Sequence, residues 1–232
     1  MSLRQFILQP NGFLRVSVNA YYILDYLGYQ EANNPDFINH LKNPFGTNNQ
    51  IILKQASEEL HNILSQHDEA LTKMMRRENI DTICIVPRSK KRVSYAKDQL
   101  FFLLVTYLFF TKTSSYASSC CYSDIVRHTD TRTTHLDKSG YGGNGELPYV
   151  GITKDTCTIE TNEIKGKNIL LIDDIYTKTV NIDEDCLQAL LDNGAKKVVL
   201  LAIARTFNRN NHIDDMQNYR DNIEQHLKVL FG

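Results

Sequence analysis

The carboxy-terminal half of the chain alternates between nearly continuous apolar runs and a helical repeat. Residues 168–172 and 197–203 are almost entirely apolar, which predicts two buried strands. Between them, apolar positions at three- and four-residue steps predict a helix over 183–193, and Gly194 follows where helices are commonly capped. Strands that are apolar on both faces lie inside a parallel sheet. This unit therefore predicts an α/β fold in which helices flank a twisted parallel sheet.

The amino-terminal third has a different pattern. Residues 50–77 carry apolar side chains at mostly three- and four-residue steps among Glu, Lys and Gln, which predicts one amphipathic helix. A short β-branched run over 82–86 predicts a buried strand, and a helix is expected over 94–111. We therefore predict a mainly helical amino-terminal appendage or hood over residues 1–79 and an α/β core over residues 80–232.

The middle of the chain is polar. Residues 112–166 are rich in Ser, Thr, Gly, Asp and Tyr, and the stretch 139–145 has four glycines in seven residues. This composition predicts a mobile loop.

Composition and charge narrow the class of protein. The chain has 232 residues, 42% of them apolar, and its 26 basic and 27 acidic side chains give a net charge of -1. These values exclude a disordered chain and a surface built as a whole for nucleic acid. The longest apolar run, 100–110, is shorter than the about 20 residues that span a bilayer, and the amino terminus lacks a signal-peptide pattern. Because the five cysteines lack metal-binding spacing, we expect a cytoplasmic protein with free thiols.

Two adjacent acids follow the apolar run at 168–172. Ligands of open α/β sheets bind beyond the carboxyl ends of the strands, so Asp173 and Asp174 are placed where a substrate would lie. Residues 176–181 then form a short polar loop before a helix whose free N–H groups offer an anion site. Such a site suits a phosphorylated sugar, because carboxylates accept hydrogen bonds from ribose hydroxyls or hold hydrated Mg2+ while the loop takes the phosphate.

A solvated turn is the alternative explanation of the acid pair. Asp183, Glu184 and Asp185 look like acids that complement a helix dipole, and they would also repel phosphate. A receiver domain, in which an acid pair follows the first of five strands, is excluded because only 58 residues follow Asp174. The sequences G-x-x-x-x-G-K-[ST], G-x-S-x-G and H-E-x-x-H are absent, so the chain carries none of these three enzyme signatures.

Residues 169–181 resemble the thirteen-residue phosphoribosyl-pyrophosphate signature of type I phosphoribosyltransferases, in which four apolar residues precede two acids and a loop rich in Thr and Gly. The segments 165–168, 190–195 and 205–206 are similar to the amidophosphoribosyltransferase-like or ComF-like branch of that family. The resemblance covers roughly residues 80–206. It implies a type I phosphoribosyltransferase-like sheet, phosphoribosyl pyrophosphate as substrate and Mg2+ as cofactor.

The resemblance also implies functions for individual residues. Asp173 and Asp174 would be catalytic and would hold the ribose hydroxyls or Mg2+, the metal directly or through water. The residues implied to bind substrate are Tyr176, Thr177, Lys178, Thr179, Val180 and Asn181. The loop of the family usually reads Thr-Thr-Gly and a small residue, so this loop must differ in shape. Lys178 would either add a cation or point into solvent.

Two further elements of the family have counterparts in this chain. A loop after the first core strand receives pyrophosphate, and its substrate-binding residues here would be Arg88, Ser89, Lys90 and Lys91. Read alone, these residues also fit a solvated basic turn. A flexible loop closes over the substrate, and residues 127–145 have the cations, hydroxyls and glycines of such a lid, with Arg132 as its catalytic candidate.

The implied reaction is a displacement at the anomeric carbon, in which pyrophosphate leaves and a nitrogen acceptor arrives. The alternative is a non-catalytic sensor of phosphoribosyl pyrophosphate or a ComF-like accessory protein in DNA handling. A homodimer is compatible with the family. Nucleic-acid binding is expected to be weak or absent, and membrane binding is not expected.

Overall fold

Eight strands and eight helices are formed by the residues that the structure, a computed structural model, describes: 2–117, 121–137 and 140–207. The strands are β1 (Arg4–Leu8), β2 (Val18–Tyr26), β3 (Thr82–Ile85), β4 (Cys121–Tyr122), β5 (Ile125–Arg127), β6 (Cys157–Ile159), β7 (Asn168–Tyr176) and β8 (Lys197–Thr206). The helices are α1 (Phe37–Lys42), α2 (Gln50–Gln66), α3 (Asp68–Arg77), α4 (Phe101–Leu108), α5 (Thr134–Asp137), α6 (Ile152–Thr156), α7 (Thr161–Ile164) and α8 (Ile182–Asp192). The predicted core domain also includes residues 208–232, which lie outside the described part.

Six strands form one sheet in the order β1-β2-β8-β7-β3-β4. β1 is antiparallel to β2, and every other neighbouring pair in this sheet is parallel. β5 and β6 pair antiparallel in a separate two-stranded sheet. The predicted α/β architecture, a largely parallel sheet flanked by helices, is therefore confirmed.

Both faces of the large sheet are covered, which explains the continuous apolar runs. On one face, Leu170 and Ile172 of β7 belong to a cluster with residues of α1, α2, α3 and α4. On the other face, Ile169 and Leu171 pack in a second cluster with residues of α8 and β1. Because successive side chains of a strand point to opposite faces, a strand that is buried on both faces is apolar at every position.

The prediction of one helix over 50–77 is wrong. The helix breaks at His67 into α2 and α3, because the backbone of His67 leaves helical geometry (φ -104°, ψ 3°). Asp68 then begins a new first turn, where its carboxylate accepts hydrogen bonds from the hydroxyls of Ser114 and Ser115 at 2.9 and 2.5 Å. These long-range contacts fix the break, and they are not visible in the local pattern.

Two other boundaries also differ from the expectation. The helix predicted over 94–111 begins only at Phe101, because residues 92–99 contain two short 3₁₀ turns instead. The stretch 112–166 is not one loop, since β4, β5, β6, α5, α6 and α7 lie within it. By contrast, α8 lies where the pattern predicts, and Gly194 follows it with φ +92°.

The amino-terminal segment contributes strands as well as the expected helices. β2 pairs in parallel with β8, with Ala20 opposite Leu200, so strands from both sides of residue 80 share one sheet. β1 and β2 are not predicted by the sequence pattern. The division of the chain into 1–79 and 80–232 stays a prediction.

Glu78 joins the amino-terminal helices to the sheet. Its side chain is buried and accepts hydrogen bonds from Tyr21 of β2 at 2.6 Å and from Lys197 of β8. Burial alone would raise the pKa of Glu78, but the bonds from Lys197 and Tyr21 outweigh it and hold that pKa below its usual range. Burial and the bond to Glu78 raise the pKa of Tyr21 to about 12.

Glu78→Ala is expected to lower the free energy of unfolding by about 2–3 kcal/mol at neutral pH, because Tyr21 and Lys197 lose their acceptor. The lowered pKa means that this contribution is present above the unfolded pKa of about 4.3 and is lost as the pH falls through the folded pKa. The urea unfolding curves of the variant and the wild type should therefore converge in acid. The control, Glu69→Ala, removes an exposed carboxylate and should change stability little. A wild-type midpoint for Glu78→Ala at neutral pH would show that the cluster does not stabilise the fold.

The structure bears on two further expectations, for membrane spans and for cysteines, and only within the residues that it describes. Within 2–117, 121–137 and 140–207, no helix is both long enough and apolar enough to cross a membrane. Cys84, Cys121, Cys157 and Cys186 are free thiols, as predicted, and Cys120 lies outside the described part.

Candidate functional site

A cavity of about 240 Å³ lies at the carboxyl ends of β2, β3, β7 and β8. Three separated parts of the chain bring predicted site residues into its wall, namely Arg88, Ser89, Arg132, Asp173, Asp174, Thr177 and Val180. The amino-terminal segment adds Tyr26, Asn39 and the cation Lys42 to the wall. Leu100, directly before α4, and Leu103 of α4 add apolar side chains. The predicted residues outside the cavity wall are Tyr176, Lys178, Thr179, Asn181, Lys90 and Lys91.

Three carboxyl groups line this cavity. Asp174 forms an ion pair with Lys42, with Oδ1 and Nζ 3.0 Å apart. Asp183 of α8 is only 4% exposed and hydrogen-bonds Asp173. Burial, and then the charge of Asp174, raises the pKa of Asp173 to about 7, while burial and Asp173 raise the pKa of Asp183. The site thus holds a lysine-paired carboxylate beside two carboxyl groups that bind a proton readily.

The turn after β7, residues 177–181, is closed by its own backbone. The amide of Val180 donates to the carbonyl of Thr177 at 3.0 Å, and the hydroxyls of Thr177 and Thr206 lie 2.6 Å apart. Asn181 takes the left-handed conformation (φ 60°), and its side-chain oxygen accepts from Asn11 at 3.2 Å. Lys178 and Thr179 are exposed. Asn181 is one of the few residue types that take a left-handed conformation readily, so it allows the chain to turn from β7 into α8.

Tyr176 faces the core and not the cavity. Its ring is buried beside Phe6, with ring centroids 5.2 Å apart, and its hydroxyl donates to Glu184 at 2.8 Å. Ile175 and Thr177 line the cavity, whereas Tyr176 packs in the same cluster as Ile169 and Leu171. Strict alternation would place Tyr176 with Leu170 and Ile172, so the alternation of β7 is interrupted after Ile172. Tyr176 therefore packs in the hydrophobic core beside the site and does not line the cavity.

The basic loop after β3, residues 87–92, uses several of its cations to hold neighbouring backbone. Arg88 donates to the carbonyls of Lys42, at 2.6 Å, and Gln99, and it lies over the ring of Tyr95 at 4.3 Å. Arg92 pairs with Asp124 at 2.7 Å. The loop is therefore not a simple solvated turn.

Lys90 binds the 127–145 segment to this basic loop. Its ammonium donates to the carbonyls of Thr131 and Asn144, each at 2.6 Å. The amide of Thr131 also donates to the carbonyl of Ser89 at 2.7 Å, and the hydroxyls of Ser89 and Thr133 lie 2.6 Å apart. These contacts hold the segment against the cavity, where Arg132 forms part of the wall. Residues 138 and 139 of the predicted lid lie outside the described residues.

The three acids that open α8 lie in its first turn, as their interpretation as helix-dipole acids requires, but they are buried. Asp185 accepts hydrogen bonds from the amides of Gly151 and Thr153 at 2.6 and 2.7 Å, and Glu184 accepts from Tyr176. Burial raises the pKa of Glu184. The acids have different surroundings: Asp183 bonds Asp173, Glu184 lies against Tyr176, and Asp185 lies where α6 packs against α8. Asp185 therefore fixes the start of α6.

The donor set of the cavity fits Mg2+ in the manner that this ion usually requires. Asp173, Asp174 and Asp183 supply carboxyl oxygens, which are hard ligands. In the described part of the chain, no three His, Cys, Asp or Glu side chains form a ready-made metal cluster. Mg2+ commonly takes one or two carboxylates and completes its shell with water and substrate phosphate, so Asp173 and Asp174 would be enough protein ligands to hold it.

Two wall residues with charged side chains were not predicted. Lys42 is 132 residues from its partner Asp174. Asp183 has a sequence signal, since it follows the turn directly, but that signal also fits an ordinary helix start. Only the fold brings both residues to the acid pair.

Two comparisons of the sequence with known proteins gave no match. A scan against protein-family models finds no family that matches the chain, and a search of curated proteins finds no matching sequence.

Proposed function

We propose that the chain binds phosphoribosyl pyrophosphate with Mg2+ and transfers the phosphoribosyl group to a nitrogen acceptor with release of pyrophosphate. One observation carries the proposal. A single cavity joins the acid pair 173–174, the turn 177–181, the basic loop 87–92 and the 127–145 segment, which are the elements such a substrate needs. The position of the site at the carboxyl edge of a largely parallel sheet supports a type I phosphoribosyltransferase-like core.

Each wall element then has a chemical task. Asp173 and Asp174 accept hydrogen bonds from the ribose hydroxyls and stabilise positive charge that develops at the anomeric carbon. The turn 177–181 binds the 5-phosphate through the hydroxyl of Thr177 and backbone amides. Ser89 and the backbone of the basic loop bind pyrophosphate, while Arg132 adds positive charge above it. Asp173 and Asp174 would hold Mg2+, and the bound ion would supply positive charge that neutralises the pyrophosphate group.

The uncharged part of the wall offers a place for the acceptor. Tyr26, Asn39, Leu100 and Leu103 line the cavity, and the amide of Asn39 donates to the hydroxyl of Tyr26 at 3.0 Å. Tyr26 ends β2, which lies on the opposite side of β7 from β3 and the basic loop that follows it. An acceptor placed beside Tyr26 would approach the sugar away from the leaving pyrophosphate.

Calorimetry and product release test the proposed function. Phosphoribosyl pyrophosphate is expected to bind the wild-type chain with Mg2+ and at least tenfold more weakly without it. Pyrophosphate release should then appear with at least one member of a panel of nucleobases, amines and ammonia. Ribose 5-phosphate, which lacks the pyrophosphate group, is the control ligand for the binding experiment. An absence of binding to phosphoribosyl pyrophosphate at millimolar concentration, with Mg2+ present, would eliminate this function.

A non-catalytic sensor of the same ligand is the second candidate. It is favoured by the engagement of Lys90 and Arg92 within the protein and by the non-glycine turn at 177–181. Mg2+-dependent binding without pyrophosphate release from any acceptor would support the sensor. Salt-sensitive retention of single-stranded DNA would instead support an accessory protein in DNA handling.

A further inference from the structure

Lys42 places a cation from the amino-terminal segment inside the candidate site. Its ammonium lies 3.0 Å from Asp174 Oδ1, and the two side chains are only 16% and 14% exposed. Both residues line the cavity. Lys42 therefore belongs to the site, although it lies outside the part of the chain that resembles a phosphoribosyltransferase.

The backbone of Lys42 is fixed next to the basic loop. Its carbonyl accepts a hydrogen bond from Arg88 at 2.6 Å, and the carbonyl of the following residue, Asn43, accepts from Gln99 at 3.0 Å. The lysine thus lies between two parts of the site, with its ammonium on the acid pair and its backbone on the loop at 87–92. A lysine side chain has a flexible four-carbon stem, so the ammonium can change partner while the backbone stays in place.

Asp174 has competing partners once substrate is present. Ribose hydroxyls or Mg2+ would engage its carboxylate and weaken its attraction for Lys42. The ammonium would then be a largely buried cation next to the departing group, where an unpaired charge is costly. A phosphate oxygen is the natural replacement partner.

We infer that Lys42 is a substrate-binding residue whose ammonium passes from Asp174 to the pyrophosphate group of the substrate. The inference rests on the proposed function and extends it, because a residue of α1 is assigned to bind the leaving pyrophosphate. It also gives the amino-terminal segment a direct contact with substrate.

Calorimetry with two ligands that differ only in the pyrophosphate group tests this assignment. With Mg2+ present, Lys42→Met is expected to weaken the binding of phosphoribosyl pyrophosphate at least tenfold and that of ribose 5-phosphate less than twofold. Lys54→Met removes an exposed lysine from α2 and should change neither value. Equal affinity of Lys42→Met and wild type for phosphoribosyl pyrophosphate would overturn the assignment, as would an equal loss for both ligands. If the wild type does not bind phosphoribosyl pyrophosphate, the proposed function itself fails.

A second variant shifts affinity in the opposite direction. Asp174→Asn leaves the ammonium of Lys42 without its charged partner, so inorganic pyrophosphate in the absence of Mg2+ should bind twofold to tenfold more tightly than it binds the wild type. Because Asp174→Asn also removes repulsion of the anion, the gain is assigned to Lys42 only if it disappears when Lys42→Met is added. Unchanged or weaker binding of pyrophosphate to Asp174→Asn would contradict the exchange of partners.

Discussion

Replacing Asp173 and Asp174 together by asparagine is expected to weaken the Mg2+-dependent binding of phosphoribosyl pyrophosphate at least 100-fold, which corresponds to about 2.8 kcal/mol. Both carboxylates line the cavity, and amides of the same size cannot replace their charge toward Mg2+ or a cationic sugar ring. The residual protein ligands would be the turn at 177–181 and the basic loop. Calorimetry with and without Mg2+ measures the loss.

The control for this variant removes two acids of similar charge far from the cavity. Glu58 and Glu69 are exposed on α2 and α3, and replacing both by glutamine should leave binding within twofold of wild type. Unfolding midpoints of both double variants verify that the fold is retained. Wild-type affinity in the Asp173→Asn, Asp174→Asn protein would remove the acid pair from the ligand site and would contradict the proposed function.

The parts of the fold that could be predicted from sequence are those whose pattern is local. β7, α8 and β8 are consecutive in the sequence. In each, the spacing of the apolar residues fits only one type of secondary structure. The acid pair belongs to the same stretch, so its position at the carboxyl edge of the sheet follows from the strand that precedes it. Asp173, Asp174, Thr177 and Arg88 line one cavity, and their functions stay predictions.

The missing parts depend on contacts between distant residues. β2 lies in the sheet because it pairs with β8, whose sequence is about 180 residues away, and nothing in β2 itself specifies that partner. Lys42 reaches Asp174 for the same non-local reason. The acids of α8 show the limit of a local rule, since a helix start favours acids in solvent and at a buried contact alike.

The near-zero net charge of the chain conceals opposed charges within one site. Asp173, Asp174 and Asp183 face the cavity, while Lys42 and Arg88 lie beside them and are already paired inside the protein. A polyanionic ligand with a divalent cation adds both kinds of charge at once. On the proposed function, the site would accept such a ligand by an exchange of partners, because each added charge would meet a protein group of opposite sign.

Gly145→Ala is expected to release the 127–145 segment from the cavity and to lower turnover at least 30-fold. Gly145 has φ +115°, and a Cβ there would lie 2.8 Å from the carbonyl oxygen of Asp130 and from backbone atoms of Thr131. Backbone on both sides of the contact cannot rotate away as a flexible side chain would, so the segment itself must move. Its contacts with Ser89 and Lys90 would then be lost, and water would enter the site.

Hydrogen exchange measures this release without reference to catalysis. The amides of Thr131, Arg132 and Thr133 donate to the carbonyls of Ser89, Glu146 and Gly142, and their protection should fall at least tenfold in Gly145→Ala. Gly140→Ala is the matched control, because Gly140 has a similarly left-handed φ of +77° but no described atom within 4 Å of its Cβ position. Both variants share the backbone strain, and only Gly145→Ala has the clash. Equal protection in the two variants would show that close packing at Gly145 does not hold the segment in place.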